Sequence, residues 1–159
     1  MSLNSEIFVD KSELLDVTNR YVNTQQRFMC VSRPRRFGKS MAADMLAASI
    51  EHYFKGKHLI YIMGVFADKD YKSVIRKTAH FADKIFTIQT PDNVRALPAE
   101  ELAEAVREHN PNAEAKHSIR EAVEEAFAIA KPENVILAFG SLSFIGEMTD
   151  IVEEHKKQK

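Results

Sequence analysis

The chain has 159 residues, of which 45% are hydrophobic and 28% charged, with a formal net charge of −1. That length holds one domain with a sizeable core, and that composition excludes general disorder. Near-neutrality excludes a uniformly basic nucleic-acid surface, so any anion site must be local.

Residues 10–24 predict a helix. Asp10 can cap its first turn while Glu13 reaches back, and Leu14, Leu15, Val17 and Tyr21 form an apolar stripe. Phe28 to Val31 is a short apolar run that reads as a buried strand. Cys30, the only cysteine, lies within it and reads as a structural thiol suited to a reducing compartment. From Lys39 to Phe54, Ala42, Leu46, Ile50, Tyr53 and Phe54 recur at helical spacing, and Lys55-Gly56-Lys57 supplies a stop.

Leu59 to Phe66 lacks polar alternation, the pattern of a strand covered on both faces by crossover helices. Asp70 can cap the next helix, which carries Tyr71, Val74, Ile75 and Ala79. Ile85 to Ile88 predicts a third strand, and Pro98 a first helical position with Leu102 and Val106 on one face. A short strand near Glu114-Ala115-Lys116 precedes a capping-box pair, Ser118 and Glu121, that opens a helix through Val123, Ala126, Phe127 and Ala130. Val135 to Phe139 is a further buried strand, and Gly140-Ser141 begins a last helix with Leu142, Ile145, Met148 and Val152.

Strands alternating with helices at this spacing predict an α/β, three-layer, Rossmann-like domain with a mostly parallel sheet. The expected organisation is a single domain over residues 1–159. It comprises an N-terminal helical segment (1–26), the Rossmann-like body (27–152) and a charged tail (153–159). No run of 18 apolar residues occurs, and the N-terminus lacks the order of a signal peptide. The expectation is a cytoplasmic protein without a membrane partner.

Ligands of open parallel sheets bind beyond the carboxyl ends of the strands. Four segments fall there: Ser32 to Ser40, Ala67 to Asp70, Thr90 to Arg95, and Gly140 to Ser143. The first approaches the phosphate-loop pattern G-x-x-x-x-G-K-[ST] between a strand and a helix, with Arg33 in place of the first glycine. Gly38 would admit a phosphate close to the backbone, Lys39 would neutralise its charge, and Ser40 could ligate magnesium. Arg33, Arg35 and Arg36 add bidentate phosphate donors. The cofactor expectation is therefore ATP with magnesium. The alternative is a basic, solvated loop that only caps a helix.

Asp68 and Asp70 are the candidate catalytic or metal-holding acids, although capping is a sufficient role for Asp70. Asp92, Arg95 and Ser141 complete a substrate-side rim. The histidines at 52, 58, 80, 109, 117 and 155 lack ligand spacing, and no Gly-x-Ser-x-Gly elbow occurs. Three arginines in one loop without a basic stripe or stacking platform disfavour nucleic acid.

Two resemblances follow from these segments. Residues 8–54, with Phe8-Val9-Asp10-Lys11-Ser12-Glu13-Leu14 and then Arg33-Pro34-Arg35-Arg36-Phe37-Gly38-Lys39-Ser40, resemble the start of the prokaryotic AAA-like ATPase family. That likeness implies a nucleotide-binding loop at Arg33 to Ser40. Residues 58–150 resemble the C-terminal domain of folylpolyglutamate synthase/dihydrofolate synthase, within the Mur ligase superfamily. The matching blocks are Ile62 to Asp70, Thr90 to Leu102, and Gly140 to Glu147.

That second resemblance implies a Rossmann-like ligase domain from a family that joins glutamate to a folate through an acyl phosphate made from ATP. Family members follow the first strand of this domain with Asp-Gly-Ala-His-Asn-Pro. Here Ser32-Arg33-Pro34-Arg35-Arg36 takes that place, and the expectation is that these residues hold no counterpart of the central domain. The expectation is a nucleotide- or phosphate-binding module without complete ligase activity on its own. The alternatives are a short AAA-like P-loop ATPase and a non-catalytic interaction domain. Expected partners are a phosphate-containing small molecule and either a second copy or the remaining ligase domains.

Overall fold

The computed structural model describes residues 28–31, 39–140 and 144–158. The predicted helix at 10–24 lies outside them. Five strands form one sheet: β1 (Phe28–Val31), β2 (Leu59–Gly64), β3 (Lys84–Thr87), β4 (Ala113–Ala115) and β5 (Val135–Gly140). Their order is β1-β5-β2-β3-β4, and every ladder is parallel.

Five α-helices connect or follow them: α1 (Lys39–Tyr53), α2 (Tyr71–Thr78), α3 (Ala99–Arg107), α4 (Ile119–Ile129) and α5 (Ile145–Lys157). A short 3-10 turn, Ala79–Phe81, extends α2. The three-layer, Rossmann-like expectation holds, and the sheet is parallel throughout.

Alternation along the strands explains the layers. Leu59, Tyr61 and Met63 of β2, with Val135, Leu137 and Phe139 of β5, face one core together with Ile50, Ile75, Leu102 and Val106 of α1 to α3. Ile60, Ile62, Ile136 and Ala138 face the opposite core with Ile119, Val123 and Ala126 of α4 and Met148, Ile151 and Val152 of α5. Both faces of β2 are buried, so its sequence shows no polar alternation. Tyr61 also packs edge-on against Phe139, with ring centroids 5.0 Å apart.

The chain steps from β1 through β4 with its helices on one face, then returns to β5 by α4 on the other. Right-handed crossovers require that change of face when the direction of travel reverses. The helices that follow β1 and β2 therefore lie on one face and the helix that follows β5 on the other, and sheets of this kind take ligands at the carboxyl edge between such helices.

Several boundaries differ from the expectations. β2 stops at Gly64, and Phe66 instead bridges antiparallel to Ala96. The third strand begins and ends one residue earlier than predicted, at Lys84 and Thr87. Pro98 is the N-cap of α3 and not its first helical residue. The last helix begins at Ile145, beyond Gly140-Ser141. Ser118 caps α4 by accepting from the Glu121 N–H at 3.1 Å. The Glu121 carboxylate reaches back to the His117 N–H at 2.9 Å, one residue before the cap.

Candidate functional site

The carboxyl edge of the sheet gathers the described parts of the rim. Gly64 and Gly140 lie in register where β2 and β5 end. Gly140 has a φ of +132°, and a Cβ there would stand 2.0 Å from the Gly64 carbonyl oxygen. A glycine at 140 is what allows the two backbones to come this close before they part.

Beyond β2 and β3, the loops after the two strands clasp each other. The Ala67 N–H donates to the Arg95 carbonyl at 2.8 Å, and the Leu97 N–H donates to the Val65 carbonyl at 3.0 Å. The clasp fixes Arg95. Its guanidinium lies 4.8 Å from the Phe66 ring centroid and donates to Asp68 Oδ2 at 3.3 Å. Both partners of this ion pair are about half exposed. Stacking and pairing together hold a cation at the rim without removing it from water.

Asp92 adopts a φ of +54°, and the Asn93 side chain accepts from the Arg95 N–H at 2.9 Å. These local contacts shape the turn that presents Arg95. Thr90, at the start of the same loop, is buried with its hydroxyl unpaired among the described residues.

Asp70 acts as the N-cap of α2, accepting from the Ser73 N–H at 3.4 Å. The geometry thus favours capping for Asp70 and gives Asp68 an arginine partner. Among the described residues no group of three His, Cys, Asp or Glu side chains converges on a metal position. Arg33, Arg35, Arg36, Gly38 and Ser141 lie outside the described residues. The backbone of Lys39 and Ser40 opens α1, whose first turn carries no acidic residue. That places both residues beyond the carboxyl end of β1, beside β5 in the sheet.

One charged cluster was not singled out from the sequence. The Lys116 side chain is 4% exposed and pairs with Glu114, and with Glu125 of α4 at 2.6 Å. Lys84 of β3 also reaches Glu114, at 2.8 Å. Burial works to lower the Lys116 pKa, but the hydrogen bonds from its ammonium to Glu114 and Glu125 outweigh it and raise the value. Hydrogen bonds from Lys116 and then Lys84 bring Glu114 down to about 2. The available signal was period 2, which puts Glu114 and Lys116 on one face of a strand that covers only three residues.

A family model described as "Mur ligase, glutamate ligase domain" matches residues 39–142. The chain belongs to this family. No curated protein matches the chain.

Among solved structures, the domain is similar to E. coli FolC in complex with DHPP and ADP, with a TM-score of 0.66 and 20% identity over 79% of this chain and 29% of that one. It is also similar to Mycobacterium tuberculosis folylpolyglutamate synthase complexed with ADP, with a TM-score of 0.63 and 21% identity over 76% of this chain and 29% of that one. A third is Thermotoga maritima folylpolyglutamate synthase, with a TM-score of 0.60 and 21% identity over 72% of this chain and 26% of that one. At these identities the likeness shows the fold, and the matched region spans less than a third of each relative. The ATPase resemblance of residues 8–54 gains no support from these matches. The ligase-domain match begins at Lys39 and takes in α1.

No helix among the described residues is long and apolar enough to cross a membrane.

Proposed function

We propose that this glutamate ligase domain is the folylpolyglutamate synthase-like, nucleotide- or phosphate-binding part of a ligase, and that it does not complete ligation alone. The observation that carries this reading is the family match over residues 39–142, laid on a parallel sheet whose loops converge at one carboxyl edge.

In this reading the phosphates sit at the turn from β1 into α1. The free N–H groups of the first helical turn and Lys39 would meet their charge, aided by Arg33, Arg35 and Arg36. Ser40 would offer its hydroxyl to magnesium, with Asp68 as an acid released from Arg95. ATP, when bound, supplies the phosphoryl group that activates a carboxylate for amide formation. On the substrate side, Arg95 would offer its guanidinium to a carboxylate, with Asp92 and Ser141 as the further rim residues expected from the sequence.

The test is a calorimetric titration with ATP–magnesium of the wild type beside Lys39→Ala. Binding in the wild type that weakens at least about tenfold in the variant, and weakens with salt, is the expected result. Absence of binding at millimolar nucleotide would remove the phosphate-loop role.

A further inference from the structure

α2 and α3 pack side by side on the same face of the sheet, one following β2 and the other β3. Their solvent sides carry opposite charge. Lys69, Lys72 and Arg76 are exposed along α2 and the turn that leads into it. Glu101, Glu104 and Glu108 are exposed along α3 and its C-cap. Glu101, Glu104 and Glu108 follow the spacing i, i+3, i+7 and so form a stripe about 10 Å long on α3, while Lys72 and Arg76, at i, i+4, share one side of α2 and Lys69 stands in the turn before its cap Asp70. None of the six forms an ion pair among the described residues. Their neighbours do: Lys77 pairs with Asp44 of α1, and Arg107 with Glu100 at 2.8 Å.

Three cations beside three anions, none of them paired among the described residues, make this face self-complementary in charge. α2 and α3 both run back against the strands, so they are parallel to each other. A twofold axis lying along them, between the two, sets α2 of one copy over α3 of a second copy with the same polarity. The same operation sets α3 over α2, so the contact closes on itself.

We propose that the α2–α3 face is a docking surface for a second copy of this chain, joined about such an axis by reciprocal Lys/Arg–Glu stripes. A lone acidic ligand would satisfy only the basic half of the face and leave the acidic half repelled, whereas a second copy matches both. Exposed ion pairs are each weak, and α2 is only about 12 Å long, so the dimer forms at high protein concentration and low salt.

Sedimentation velocity on the full chain, at tens to hundreds of micromolar, tests this. The expected result is a monomer–dimer equilibrium whose dissociation constant rises at least about tenfold between about 0.05 M and about 0.5 M salt. Lys72→Glu/Arg76→Glu makes both stripes acidic, and Glu104→Lys/Glu108→Lys makes both basic. Each double variant should be monomeric alone, and an equimolar mixture should recover a heterodimer. Circular dichroism checks that both remain folded. A wild type monomeric at every concentration and salt would overturn the proposal, as would variants that self-associate like the wild type. A mixture of folded variants that stays monomeric would overturn it equally. If either variant unfolds, the wild-type salt series alone decides.

Discussion

Gly64 and Gly140 face each other at the last rung of the β2–β5 ladder, and a Cβ on Gly140 would lie 2.0 Å from the Gly64 carbonyl oxygen. The obstacle is backbone, so no side-chain rotation relieves it. Gly140→Ala is therefore expected to destabilise the fold by at least about 3 kcal/mol, through strain at positive φ and separation of the two strands. Gly56 also has positive φ, at +76°, but a Cβ there meets nothing within 4 Å. Gly56→Ala should cost only about 1 kcal/mol. Denaturant unfolding of the two variants checks the contrast.

The Lys84–Glu114–Lys116–Glu125 chain ties edge strand β4 to β3 and α4. Glu114 is held at about 2 in the folded protein, against an ordinary value of 4.5. Above 4.5 the carboxylate is ionised in both states and its stabilisation is complete. As pH falls the unfolded chain takes up the proton first, and the contribution disappears by about 2. Glu114→Gln is expected to be less stable than the wild type at neutral pH, with the gap narrowing across that window. Urea midpoints at several pH values would show it, and a gap constant with pH would contradict it.

Much of this architecture is legible in the sequence, because its causes are local. β2 and β5 read as uninterrupted apolar runs since helices cover both sides of each. Asp70 and Ser118 announced helix starts because their side chains bond to N–H groups three residues on. The clasp between Val65–Ala67 and Arg95–Leu97 was not legible, since it joins loops about 30 residues apart through backbone bonds that any side chains permit. For the same reason the sequence offers Asp68 as a candidate metal acid and does not show its Arg95 partner. The bounds of β3 differ by a residue because burial does not mark where a ladder ends: Ile88 is as buried as Ile85, although it lies beyond the end of the strand.

The Ser118 cap has a measurable worth. Its hydroxyl accepts from the Glu121 N–H, so Ser118→Ala leaves that donor to water and should cost about 1 kcal/mol. Ser118→Asp restores an acceptor and adds a charge favourable to the helix N-terminus, so it should recover most of the loss. Thermal unfolding of the pair distinguishes a lost cap from a merely perturbed loop.

Thr87 and Thr90 make the sharpest comparison, because one substitution should act with opposite sign three residues apart. Both threonines are fully buried. The Thr87 hydroxyl donates to the Ala99 carbonyl at 2.7 Å and so fastens the end of β3 to the start of α3. Thr87→Val keeps the shape but leaves that carbonyl without its donor, and should cost about 1–2 kcal/mol. The Thr90 hydroxyl has no partner among the described residues, so no described group offsets the desolvation of this buried polar atom. Thr90→Val should therefore raise stability, by about 1 kcal/mol. Denaturant unfolding reads both signs directly. A destabilised Thr90→Val would mean that a bound water satisfies the hydroxyl in solution. A stabilised variant would mean that this edge keeps a polar group folding does not need, as expected if the proposed site exchanges stability for function there.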